Sequence, residues 1–537
     1  MDISEKISEL RKRGGYSQEQ LAEKLGVSCR SVSKWESGGE IPDTDKIIAM
    51  SKLFGVPADC LLSDSEIPEA EPPEENSDAE ITKSIPITKE YISCEQTEDK
   101  KPKKGIAKKI IAAVVCVCVA VAAVAVPLHF GGLRETWWAI CGGKVQYPYV
   151  LVHGLGGWGD SSGMNSVSKY WGASTGDLSA YLEGEGYTVY EPTVGPISST
   201  WDRTCELYAE LTGTTVDYGE AHSKEHNHKR FGRNYSTALF EGWGTKKNGG
   251  QIQKINLVGH SLGGATVRML ASLLEYGSDA EKNASGDDVS PLFTGGKGDW
   301  VNSVTTLCAP HNGSSLTCVI DSVGSVADID NATEMLAALC FAAAGVSKPV
   351  SGVYDFMLDR FGVGQVTGGY SEIVKAISAA TESGNDHAGY DLSPDGAAEI
   401  NKGIKTVDGV YYFSYAYLTT QKGKVLPGQV PIPSTLPILY PTALAMGSFK
   451  GTTPGGISID ESWQPNDGLV SVVSAKYPTG DKYVDFDGDV KNIKKGIWNY
   501  MGTSEGDHGT VIGLNADTQK THDFYDNLFS MIDSLKR

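Results

Sequence analysis

The sequence predicts two unlike folded parts: a large α/β part, with a mostly parallel sheet and helices on both faces, and a small all-helical part ahead of it. Three observations lead there. Lys254-Ile255-Asn256-Leu257-Val258 is an apolar run, followed by the turn Gly259-His260-Ser261-Leu262-Gly263 and the helix-like Ala265-Thr266-Val267-Arg268-Met269-Leu270. A second short strand, Tyr149-Val150-Leu151-Val152, ends in the glycine-rich His153-Gly154-Leu155-Gly156-Gly157-Trp158-Gly159. Residues 1–63, by contrast, read as a compact series of short helices. Strands that feed directly into helices build parallel sheets.

The pentapeptide has the G-x-S-x-G form, and its flanks are those of a nucleophile elbow in an α/β-hydrolase fold. The form alone is common, because glycine and serine are common. Strand before and helix after give it meaning, since the strained turn lifts the Ser261 hydroxyl clear of the sheet. The glycine-rich loop after the early strand would supply the other half of an oxyanion hole. Its donors are the backbone N–H groups of Leu155 and Leu262. A nucleotide-binding loop is the competing reading, but no G-x-G-x-x-G with a downstream acid is present.

Serine needs a base to take its proton, and the base needs a carboxylate to fix its tautomer. Both should follow the serine in chain order. Asp467 lies in Gln464-Pro465-Asn466-Asp467-Gly468, a turn feeding a strand, with Asp485 and Asp487 as rivals. His508 lies in Gly506-Asp507-His508-Gly509, just before the closing helix. His522 falls on that amphipathic helix, while His311 and His387 precede the proposed acid, so His508 is the best base by position. A further cluster, His222-x-x-x-His226-x-His228, sits in a polar stretch that suits either a metal or a solvated basic loop.

From about residue 145 to the end, the chain resembles bacterial triacylglycerol lipases of the Geobacillus and staphylococcal type. The shared segments are Lys169-Tyr170-Trp171-Gly172, Ser199-Thr200-Trp201-Asp202-Arg203, Gly213-Thr214-Thr215-Val216-Asp217-Tyr218-Gly219 and Asn466-Asp467-Gly468. The resemblance implies Ser261, Asp467 and His508 as a catalytic triad. It also implies a structural Zn2+ held by Asp202, His222, His228 and Asp359, the last in Leu358-Asp359-Arg360-Phe361-Gly362. Four protein ligands leave no open position, so such a metal would hold structure rather than do chemistry. Ca2+ is doubtful, because Thr510 and Asn515-Ala516 stand where the resemblance calls for carboxylates. Residues 319–347, including Met335-Leu336-Ala337-Ala338-Leu339, lie where lipases place a mobile lid; periodicity alone also allows a core helix.

The N-terminal 63 residues resemble a Cro/C1-type (Xre) helix-turn-helix. Ser17-Gln18-Glu19-Gln20-Leu21-Ala22 opens one helix, and Ser28-Cys29-Arg30-Ser31-Val32-Ser33-Lys34-Trp35-Glu36 forms the next. The resemblance implies that the second helix enters a DNA groove, with Ser28, Arg30, Ser31 and Lys34 able to reach bases or phosphates. A small protein-binding module is the alternative. Residues 64–104 are acidic and Pro/Glu-rich before a terminal lysine cluster, and are expected to be a disordered linker. Residues 108–129 then hold an apolar run of about 19 residues, long enough at ~1.5 Å each to cross a bilayer. The lysines before it predict a cytoplasmic N-terminus and an outer C-terminal domain in the cell membrane. Cleavage after Ala125 is the competing reading, although about a hundred residues is far longer than a normal leading region.

A formal charge of −20 argues against nucleic-acid binding by the large domain. The ten cysteines show no disulfide framework. Two functional expectations follow. One is a membrane-anchored serine lipase or carboxylesterase acting on acylglycerol or fatty-acyl esters, with a cytoplasmic DNA-binding-type domain. The other is a transmembrane transcriptional regulator that uses the hydrolase domain as a lipid sensor.

Overall fold

The computed structural model describes most of residues 3–36 with scattered positions up to 54, and residues 147–247, 250–327, 354–359 and 384–535. The chain divides into two units, residues 1–111 and 112–537. The expected linker (64–104) and membrane span (108–129) lie outside the described residues. Among the described residues, no helix is long and apolar enough to cross a membrane.

The first unit packs α1 (Ile3–Arg13), α2 (Gln18–Leu25) and α3 (Cys29–Glu36) around Ile7, Leu10, Leu21, Leu25, Val32 and Trp35. A reciprocal capping box starts α2: Gln20 N donates to Ser17 Oγ (3.2 Å) and Ser17 N to Gln20 Oε1 (2.8 Å). Glu36 ends α3 and accepts from Arg11 Nε (2.5 Å) and Gln18 Nε2 (2.7 Å), so one carboxylate ties the three helices. Burial works against that carboxylate, but Arg11 and Gln18 outweigh it and hold its pKa below the ordinary value. Arg30, Ser31 and Lys34 all lie on α3, and Lys34 is exposed; Ser28 is outside the described residues.

The second unit is built on seven parallel strands: β1 (Tyr149–Val152), β2 (Val189–Tyr190), β3 (Ile255–His260), β4 (Val301–Leu307), β5 (Tyr411–Leu418), β6 (Tyr483–Asp485) and β7 (Trp498–Glu505). Their spatial order is β6-β7-β5-β4-β3-β1-β2. β1, β3 and β4 are buried at every position, as expected of strands covered on both faces. The two-residue period of a strand sorts their side chains into two cores. Val150, Val152 and Leu257 join Leu207, Leu211, Val267 and Leu270 from the helices Thr200–Thr212 and Leu262–Tyr276. Tyr149, Leu151 and Val258 face the other way and join Leu182, Leu528 and Phe529. The result is a three-layer α/β/α arrangement.

Parallel strands bring their carboxyl ends to one edge, where open α/β sheets bind ligands. β1 ends there at His153-Gly154, β3 at Ser261, β5 at Thr419, and β7 just before Asp507-His508. The helix Ser315–Ala327 covers the start of the expected lid. The lid expectation beyond residue 327 lies outside the described residues.

Candidate functional site

Ser261 has φ 54° and ψ −127°, a conformation that costs a non-glycine residue free energy and persists only where its surroundings hold it. The flanking glycines are needed for close approach. A Cβ at Gly259 would lie 2.3 Å from the Gly263 carbonyl oxygen, and one at Gly263 would lie 2.2 Å from that of Val152. Ser261 N donates to Leu307 O (2.9 Å), which ties the turn to β4.

His508 Nδ1 lies 2.9 Å from Asp467 Oδ2, and His508 N donates to Asp467 O at 2.8 Å. The other oxygen, Asp467 Oδ1, accepts from the amides of Leu469 (3.0 Å) and Val470 (2.7 Å). Asp467, His508 and Val470 are buried, and Leu469 is partly so. The rivals Asp485 and Asp487 are exposed, and the Asp487 carboxylate accepts from Asp489 N and Asn492 Nδ2. His522 stacks on Tyr181, and His311 is engaged with Thr306. Ser261, His508 and Leu155 line one open pocket, whose other walls include Trp158, Leu439 and Leu514. Leu262 opens the helix directly after Ser261.

One network was not anticipated from the sequence. His260 Nε2 faces the His508 carbonyl at 3.0 Å. A carbonyl only accepts, so Nε2 carries the proton and Nδ1 is the acceptor. Tyr170 Oη, 2.7 Å away, therefore donates to Nδ1 and accepts from Gly154 N at 2.8 Å. Burial, reinforced by His508, holds His260 well below its ordinary pKa and hence neutral. A single directional chain thus joins the glycine-rich loop to the backbone of His508. Asp507, the next residue, accepts from Leu436 N (2.9 Å), Asn515 Nδ2 (3.1 Å) and Thr510 Oγ1 (3.1 Å). The two positions weighed against calcium thus brace this loop with neutral donors.

A second constellation lies apart from the cavity. Asp202, His222, His228 and Asp386 each point a ligand atom inward, all within 4.8 Å of one another. His222 Nε2 is 3.2 Å from Asp202 Oδ1 and 3.4 Å from Asp386 Oδ1. His228 Nε2 is 3.3 Å from Asp386 Oδ2 and 4.0 Å from Asp202 Oδ1. A tetrahedron of N and O ligands at about 2.0–2.2 Å from zinc has edges of roughly 3.3–3.6 Å, close to these separations. Burial disfavours the charged form of His222, yet Asp202 and Asp386 outweigh it and raise its pKa to about 10. Two carboxylates closing on one imidazole create a need for positive charge. Trp201 stacks on the His222 ring, 5.2 Å between centroids. Arg203, directly after Asp202, donates to Gly195 O (2.7 Å) and to His153 O.

Asp359 is not part of this cluster, which corrects the expected ligand set. Its carboxylate pairs with Arg233 Nη2 at 2.8 Å, half-exposed, beside a second pair between Arg233 and Asp355. Asp386 takes the fourth place. A bridge between Ser198 and His387, with Ala388 N donating to Ile197 O, sets it against the helix that bears Asp202. No spacing joins residue 386 to 202 in the sequence; only the carboxylate before the capping His387 marks the position. His226 packs against His222 with the rings tilted, 4.5 Å between centroids, but is outside the group of four.

Residues 145–537 match the family model described as the C-terminal domain of lipase-like proteins, and residues 7–59 match a helix-turn-helix model. A lipase of Staphylococcus epidermidis is 32% identical over 387 residues, covering 71% of this chain and 52% of its own. The chain therefore spans about half the length of the curated relatives it matches. Among solved structures, lipase 1 from Pelosinus fermentans is 38% identical with TM-score 0.63, covering 73% of this chain and 100% of its own. EstA from Clostridium botulinum is 35% identical with TM-score 0.65, covering 73% and 88%.

Proposed function

The chain belongs, through residues 145–537, to the family of lipase-like C-terminal domains, and from that premise we propose that it is a serine ester hydrolase acting on acylglycerol or fatty-acyl esters. The observation that carries this reading is the 2.9 Å contact of His508 Nδ1 with Asp467 Oδ2, in the same cavity wall as Ser261 in its strained turn.

In the proposed cycle, His508 Nε2 takes the Ser261 proton as Oγ attacks the ester carbonyl carbon. Asp467 keeps the Nδ1–H tautomer and stabilises the imidazolium. The carbonyl oxygen gains the electron pair and is met by the Leu155 and Leu262 amides, each contributing on the order of 3 kcal/mol. Collapse expels the alcohol, which leaves with the His508 proton. Water, deprotonated by His508, then attacks the acyl-enzyme; the acyl–Oγ bond breaks, Ser261 Oγ takes the proton back from His508, and the fatty acid leaves. A structural metal held by Asp202, His222, His228 and Asp386 would neutralise the two carboxylates and clamp residues 200–228 to residue 386. It takes no step in the reaction.

We place residues 108–129 in the cell membrane, with the helix-turn-helix unit cytoplasmic and the hydrolase unit outside. The lysine cluster at 100–109 supports this orientation. The helix-turn-helix match also favours a second reading, in which ester or lipid at the outer unit regulates DNA binding through α3. The test is hydrolysis of short- and long-chain glycerol esters by the purified full chain. A chain that cleaves none, yet shifts its DNA affinity with lipid, would favour the sensor.

A further inference from the structure

One stretch of the large unit is built unlike the rest. The chain has 67 acidic residues, yet none lies between Asp408 and Asp460, a stretch that keeps Lys422, Lys424 and Lys450. The stretch begins with β5 and leaves it at the carboxyl edge, where Ser261 also stands. It then forms an antiparallel hairpin, Thr420–Lys422 against Gln429–Pro431.

The base of this hairpin is fixed beside the candidate site. Thr419 N donates to Asn466 O (3.0 Å), next to Asp467, and Ile432 N donates to Thr419 O (2.9 Å). The chain goes on to Leu439, which lines the cavity, and to Tyr440, 44% exposed. Gly423 N donates to Gly428 O (2.9 Å) and closes the tip. At the tip Val425 is 94% exposed and Leu426 55%, with Lys422 and Lys424 exposed beside them. An exposed apolar pair on an anchored turn, collared by cations in a strongly acidic protein, matches the makeup of an interfacial lipid-binding element. The cations would meet negative head groups while the apolar side chains enter the acyl boundary.

We propose that the 420–431 hairpin is a docking finger for an anionic lipid surface, inserting Val425 and Leu426 while Lys422 and Lys424 meet the head groups. The inference rests on the ester-hydrolase reading and gives that site the surface from which it draws substrate.

The test compares the full chain with Val425→Asp/Leu426→Asp and Lys422→Glu/Lys424→Glu on three substrates. These are tributyrin below its solubility limit, diacylglycerol in phosphatidylglycerol vesicles, and diacylglycerol in phosphatidylcholine vesicles. Both variants should hydrolyse dissolved tributyrin within twofold of the parent. The aspartate pair should slow hydrolysis on both vesicles about tenfold, and charge reversal should slow it on phosphatidylglycerol alone, by about thirtyfold or more for two lysines. Undiminished vesicle rates would overturn the proposal, as would an equal loss on dissolved tributyrin, which would make the hairpin a support of the site. A parent chain inactive on every ester would overturn the hydrolase reading, and the docking role with it.

Discussion

Two buried constellations in the large unit are made of the same residue types and are built for opposite ends. In one, a single carboxylate, Asp467, faces a single imidazole, and backbone amides hold its second oxygen. In the proposed cycle the far nitrogen of that imidazole carries the proton in transit. In the other, two carboxylates and two imidazoles converge at 3.2–4.0 Å, with one ligand atom from each within 4.8 Å of the rest. On the proposed reading, stoichiometry separates the roles: one-to-one suits moving a proton, two-to-two suits holding a cation.

The largest break in this comparison is at the one-to-one site. Ser261→Ala should lower ester hydrolysis by ~10⁴-fold or more and abolish labelling by an organophosphonate, with the melting temperature little changed. Asp467→Asn should cost about as much, because an amide can hold the imidazole in the wrong tautomer. Labelling that survives in the serine variant would remove Ser261 from the reaction.

At the two-to-two site the contrast lies between two aspartates. Asp386→Ala should lose the bound zinc, about one per chain in the parent, and should lower the melting temperature far more than initial activity at mild temperature. Removing one member of a buried charged cluster typically costs about 3–5 kcal/mol. Asp359→Ala should keep the metal and cost about 1 kcal/mol or less, as for other half-exposed ion pairs. Metal analysis of the two purified variants decides, and the opposite result would restore Asp359.

These two aspartates also mark where the sequence stops being legible. Ser261 is announced by contiguous neighbours, since glycines, strand and helix lie within about fifteen residues of it. Asp467 and His508 follow from chain order, and three of the four clustered ligands follow from a resemblance anchored on local segments. Asp386 follows from nothing local. Its place is set by a bridge to Ser198, across almost two hundred residues. The same holds for Tyr170, which reaches His260 across ninety. Long-range hydrogen bonds carry no periodicity, so they are visible only in the fold.

Tyr170 gives a finer test of how the one-to-one site is held. Tyr170→Phe keeps the ring in the cavity wall but strips Gly154 N of its acceptor and His260 Nδ1 of its donor. With the oxyanion loop released, kcat should fall about tenfold while KM moves little, since the lost support acts on the charged transition state. A twofold change or less would make the network ornamental to catalysis.

The smallest effect concerns buried carboxylates that face neither an imidazole nor a cluster. Glu191, with Ser179 and Asn165 beside it, is pushed up to about 7, chiefly by burial. Glu210, which accepts from Thr193 N at 3.0 Å, is pushed up to about 8 for the same reason. Both hold their proton more tightly folded than unfolded. Their contribution to stability is therefore full below about pH 4.5 and is lost as pH rises through about 7 and then 8. Melting temperature should therefore decline from pH 5 to pH 8, and Glu191→Gln should flatten the first part of that decline without changing the metal content. An identical slope in the variant would show that Glu191 ionises without penalty. The contrast among the three kinds of buried carboxylate would then reduce to two.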